Sequence, residues 1–196
     1  MSRIICTALC FISMASFASA QDSASRFEGP YVGAMVGFNS YSLGDTSAFG
    51  GKTDDKMSGA TFGGIFGFRS AISEGVLAGI EGFVNSNTAN KTYTISGVSA
   101  RLDADVSYGL NATLGFATEQ ALFFIMAGYG WNDISAKAVS GGASAAASSS
   151  GDGIRAGIGA EVPISDTLAI RVQGDWQDFD GDSSALGGSA GVVLKF

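Results

Sequence analysis

Asp103 and Asp105 are the pair in this sequence best spaced to act as general acid and base, two carboxylates on one face of an extended segment. Such a pair can act without histidine, the usual activator of a Ser or water near neutral pH, which is absent from all 196 residues, but a charged lumen or rim near a loop is the reading preferred for it. The acidic run Asp178-Phe179-Asp180-Gly181-Asp182 has the look of a calcium loop. Its glycine stands at position four rather than six, however, and no glutamate occupies position twelve. Cys6 and Cys10 are the two cysteines, and both lie in the first ten residues. No catalytic, cofactor or metal site is therefore expected. The charges left to explain are Arg69, Glu81, Arg101, Asp103, Asp105, Arg155, Glu161, Arg171, Asp175 and Lys195.

The elements that carry these charges follow from composition and pattern. Arg3 followed by an apolar stretch to Phe17 and by Ala18-Ser19-Ala20 reads as an export leader, cleaved between Ala20 and Gln21. Residues 1–20 are thus expected to be the leader and 21–196 one domain. Eighteen acids against 11 bases give a net charge of −7, which argues against a nucleic-acid partner. Mean hydropathy is positive at +0.26, yet no later apolar run is long enough for a membrane helix.

From Leu102 to Phe116 every even residue is apolar and every odd one is polar or Gly. That period of two is the mark of a strand with two unlike faces. The same alternation recurs over 32–38, 60–69, 76–84, 123–131, 154–162, 168–177 and 186–196, making eight strands. Leu77 and Phe83 break it by falling on the polar face of the third, and the fifth is apolar on both faces. The links alternate between short (70–75, 117–121, 163–167) and long (39–56, 85–101, 132–152, 178–184). Within the third long link, residues 138–153 are a Gly/Ala/Ser tract expected to be mobile.

An all-β, eight-stranded, antiparallel up-and-down barrel follows, with short turns on one rim and long loops on the other, as in a transmembrane barrel. The apolar face is expected to point outward into lipid. The opposite face is Gly-rich and carries charges of both signs that can pair across a narrow lumen. An Arg such as Arg171 facing lipid at mid-membrane would cost about 2–4 kcal/mol. Phe38, Phe68, Tyr108, Phe116, Tyr129, Trp131, Trp176 and Phe196 lie near strand ends, where interfacial girdles form. A turn centred on Ser165 sets Arg155 opposite Asp175 and Glu161 diagonal to Arg171, both within side-chain reach.

Gly29-Pro30-Tyr31-Val32-Gly33, Gly79-Ile80-Glu81-Gly82 and the closing Gly191-Val192-Val193-Leu194-Lys195-Phe196 carry a resemblance to a known family. Over residues 27–196 the chain resembles the eight-stranded outer-membrane barrels of the outer membrane protein A-like and opacity-type superfamily. That resemblance implies a bacterial outer-membrane location and contact with lipid and lipopolysaccharide. It also implies an assembly signal at Val192, Leu194 and Phe196, read by the barrel-assembly machinery, although Leu194 stands where an aromatic is common. Outer-membrane barrels that are enzymes look to histidine, so no enzyme is expected here. The expected function is structural: envelope integrity and surface display around a plugged interior. The alternatives are a narrow passive channel, or an adhesin acting through its loops, with Tyr93 and Ile95 as candidate contacts.

Overall fold

The computed structural model describes residues 24–42, 56–95, 98–140, 143–179 and 183–196. The expected leader, with Cys6, Cys10 and Ala20, lies outside them, as do Gln21, Asp180, Gly181 and Asp182. One antiparallel sheet contains β1 (Gly29–Ser42), β2 (Lys56–Ser73), β3 (Val76–Asn87), β4 (Asn90–Ile95), β5 (Val98–Ala117), β6 (Leu122–Ser140), β7 (Ala143–Pro163), β8 (Leu168–Asp178) and β9 (Ser184–Lys195). β3 and β4 pair with consecutive stretches of the same partner, β5, and so form one spanning strand broken at Thr88 and Ala89. The wall therefore has eight strands. Pairing of β1 with β9 and of β3 with β5 closes it. Closure removes the free sheet edge from the part of the wall that crosses lipid, where unpaired backbone groups are costly.

The two faces are sorted by chemistry. Val36, Ile80, Leu110 and Ile158 are 63–70% exposed, whereas Glu81, Glu161 and Arg171 are at most 1% exposed. A soluble barrel sorts its faces the other way. The apolar surface points outward and the charged, Gly-rich face lines the lumen.

Leu77 and Phe83, the two residues that break the alternation of β3, point inward and are buried. Phe124 and Met126, from the strand that is apolar on both faces, do the same. They fill the barrel rather than weaken the strand pattern. Glycines opposite them make room for rings: a Cβ on Gly67 would lie 2.5 Å from the Tyr31 ring, and one on Gly159 would strike Phe124.

Three expectations need correction. The expected loops at 85–101 and 132–152 are largely ladder. β5, β6 and β7 run 19–21 residues, so Tyr93 and Ile95 sit in β4, and 143–153 is strand, paired with β6 as far as Ala143. A tract of Ala and Ser has no core to pack against, yet its backbone completes a hairpin ladder without one.

The second correction concerns β5. Its register against β6 shifts between Ala104 and Ser107, where two residues of β5 oppose one of β6. Such a bulge reverses the face of everything before it. Ala104 is consequently buried inside with Tyr41, Met57 and Ala89. Arg101 and Asp103 share the outer face with Ser135 and are not part of the lumen lining.

The third is the β7–β8 register. Ile164 and Ser165 both donate their backbone N–H to the Leu168 carbonyl, at 2.8 and 3.1 Å. The turn is therefore centred one residue later than expected, on Asp166, and Pro163 pairs with Ala169. Glu161 faces Arg171 directly, while Arg155 faces Gln177 and reaches Asp175 diagonally.

Candidate functional site

The barrel interior brings together charges that lie about 90 residues apart in the chain. Arg171, on β8, donates from Nη1 to Glu81 Oε2 at 2.5 Å and from Nη2 to Glu81 Oε1 at 3.0 Å, across the lumen to β3. The same Nη1 lies 3.3 Å from Glu161 Oε1 on β7. Arg69, on β2, donates to Glu161 Oε2 at 3.0 Å. The Tyr31 hydroxyl donates to Glu81 Oε2 at 2.8 Å. Five of the eight wall strands are thus tied into one buried brace, in which each carboxylate accepts from two partners. Charges this deep are tolerated when they are paired and hydrogen-bonded, as both carboxylates and Arg171 are; Arg69 Nε is left without a partner among the described residues.

Aromatic rings back the cations. Arg69 lies 4.0 Å over the Tyr31 ring and Arg171 4.3 Å over Phe124. Above the brace Arg155 lies 4.0 Å over Phe83 and pairs with Asp175, Nη2 to Oδ1 at 3.0 Å. A weakly hydrated guanidinium on a ring face leaves water at lower cost than an ammonium would. Sequence reasoning did not assign Tyr31, Phe83 or Phe124 to this site. The out-of-phase Phe83 was the available signal.

Small voids lie on either side of this layer. A cavity of about 30 Å³ is lined by Asn39, Thr61, Asn85, Asn132, Arg155 and Asp175 among others. A second, of about 10 Å³, adjoins Tyr31, Arg69, Thr113 and Arg171. The upper one lies beneath the apolar group of Tyr41, Met57, Ala89 and Ala104, against which Phe179 and Ala185 pack.

The remaining charges lie elsewhere. Arg101 and Asp103 form an outer pair at 2.8 Å, with the Arg side chain 54% exposed. Asp105, in the bulge, accepts a hydrogen bond from the Ser135 hydroxyl. Lys195 is buried but donates to the Arg26 carbonyl. Among the described residues no group of acids, Cys or His is placed to hold a metal.

On the outer face Phe38, Phe68, Tyr108, Phe116, Tyr129, Trp176 and Phe196 are all exposed, and Trp131 is half-buried. Tyr108 stacks on Trp131 at 5.8 Å, Tyr129 meets Trp131 edge-on at 5.2 Å, and the Tyr129 hydroxyl donates to Asp152 at 2.5 Å. Val192, Leu194 and Phe196 face outward along β9.

Residues 5–196 match the family model of the outer membrane protein beta-barrel domain. The chain belongs to that family. No curated protein matches the sequence. Among solved structures, this outer-membrane barrel is similar to Ail, the attachment invasion locus protein of Yersinia pestis. The two share 17% identity over 86% of this chain and 99% of Ail, with a TM-score of 0.52. It is also similar to Neisserial surface protein A, at 17% identity over 86% of this chain and 97% of that one, TM-score 0.55. At those identities the likeness is one of fold. Together with the outward apolar face, the family places the protein in the bacterial outer membrane.

Proposed function

We propose that this outer-membrane barrel is a closed structural element of the envelope, non-catalytic, which presents its long hairpins at the cell surface. The observation that carries the reading is the brace formed by Arg171, Glu81, Glu161 and Arg69. It crosses a lumen already filled by Tyr31, Phe83 and Phe124, and an eight-stranded barrel has little more room than its own side chains need. The aromatic residues near both strand ends serve as the interfacial girdle against lipid and lipopolysaccharide. The Val192, Leu194 and Phe196 edge of the last strand is the surface offered to the assembly machinery.

The test is single-channel recording from the chain refolded into planar bilayers. Silence, or rare brief openings that increase when Arg171 or Glu81 of the brace is replaced, is the expected result. A steady, reproducible open state would put the narrow passive channel ahead.

A further inference from the structure

The residues just before β1 make contacts that neither wall closure nor the interior brace requires. Gly29 has φ of 100°, a conformation that glycine adopts freely, and there the chain turns from the wall to cross the short-turn mouth. Phe27 donates its N–H to the Ala24 carbonyl at 2.9 Å, which closes a small turn. Ala24 and Phe27 are 3% and 1% exposed. They pack with Leu77 of β3, Ala117 of β5, and Leu122, Phe124 and Met126 of β6, two to four wall strands away from β1 in the strand order.

Polar contacts hold this turn from several sides. Lys195 donates to the Arg26 carbonyl and stands 5.1 Å over the Phe27 ring. Arg26 donates to the Glu119 carbonyl at 3.3 Å, across the mouth. The Glu28 carboxylate accepts from the Ala71 N–H at 2.6 Å and from the Ser70 hydroxyl at 3.5 Å. A single apolar ring sits in a socket of apolar side chains, with a cation above it and its flanking backbone hydrogen-bonded.

We propose that the periplasmic mouth of this barrel is a peptide-binding socket, whose occupant is the chain's own Ala24–Phe27 turn. The turn is a stopper below the ion-pair brace and separate from it. The two layers meet at Phe124, which belongs to the socket cluster and also lies beneath Arg171. The proposal does not rest on the silent-barrel reading above, because the socket exists whether or not the layer over it conducts.

The chain beginning at Gln21 has no cysteine, so a thiol placed in the socket reports on it alone. With Ala117→Cys in the refolded barrel, a small charged methanethiosulfonate reagent should label slowly. Adding Phe27→Ala should raise the rate tenfold or more, and a synthetic peptide of residues 21–28 should slow it again. Leu122→Cys serves as a second reporter should Ala117→Cys not fold, with heat-modifiable gel mobility as the test of folding. Equal labelling rates with and without Phe27 would overturn the stopper. Failure of the peptide to protect the Phe27→Ala barrel would overturn the socket as a binding site. Recording conductance separates the two readings. A silent Phe27→Ala barrel that labels fast supports the stopper with the brace intact. A conducting one supports the stopper and counts against the silent interior.

Discussion

Arg171 and Glu81 meet as two parallel forks across the full width of the barrel, Nη1 on Oε2 at 2.5 Å and Nη2 on Oε1 at 3.0 Å, each side chain 1% exposed. Planar bidentate pairing of this kind fixes direction as well as energy. It sets how far apart β8 and β3 can stand, and hence the bore at that level.

Arg171→Ala leaves Glu81 buried with the Tyr31 hydroxyl and no cation, and takes from Glu161 one of its two arginines. The expected loss is about 3–5 kcal/mol of unfolding free energy, the range for removing one partner of a buried pair. Urea titration of the refolded barrel reads it. The double variant Arg171→Met with Glu81→Leu should lose less than Arg171→Ala alone, because Arg69 still serves Glu161. A double variant worse than the single would show that the pair itself, and not the stranded charge, carries the stability.

Asp175→Asn should cost less, about 2 kcal/mol, the scale of a hydrogen bond to a charged group. Asp175 is 18% exposed on its side chain, and the amide oxygen still accepts from Arg155. The order of the two losses, measured in the same denaturant series, checks the depth assigned to each layer.

Arg101→Ala should change stability by no more than about 0.5 kcal/mol, since exposed pairs contribute little. This is the sharpest check on the bulge. Were Arg101 in the lumen, as strict alternation from Leu102 to Phe116 implies, the loss would approach that of Arg171→Ala.

Gly67→Ala brings a methyl to 2.5 Å from Tyr31 Cζ and Oη. Overpacking of this degree costs about 1–3 kcal/mol, seen as a lower midpoint in thermal or urea unfolding. Combining it with Tyr31→Leu should recover part of the loss, because the ring that meets the methyl is gone. No recovery would place the clash in the backbone.

The sequence and the structure agree where two solvents dictate the pattern. From Ser107 to Phe116 lipid selects one face and a crowded lumen the other, so every second residue is constrained and the strand is legible. Phe83 read as an exception for the same reason, since a ring that fills a lumen looks out of place on a polar face. The bulge at Asp105 and Val106 could not be read. It adds a residue without interrupting the alternation of Asp103, Asp105 and Ser107, and only the partner strand records the slip. The Ala/Ser stretch of β7 stayed hidden because a hairpin surrounded by water on both faces selects neither. The Phe27 turn is four residues whose partners lie on β3, β5, β6 and β9, too far along the chain for local pattern to connect.

The ion-paired interior has one more consequence. Arg69, Arg155 and Arg171 are matched by Glu81, Glu161 and Asp175, three positive groups and three negative. An electric field does work on a displaced net charge, about 2.3 kcal/mol per unit charge per 100 mV. Moved as a unit this set carries none. A voltage imposed across the outer membrane therefore has no lever on these layers as a whole, and whatever loosens them must act by chemistry or by mechanical strain.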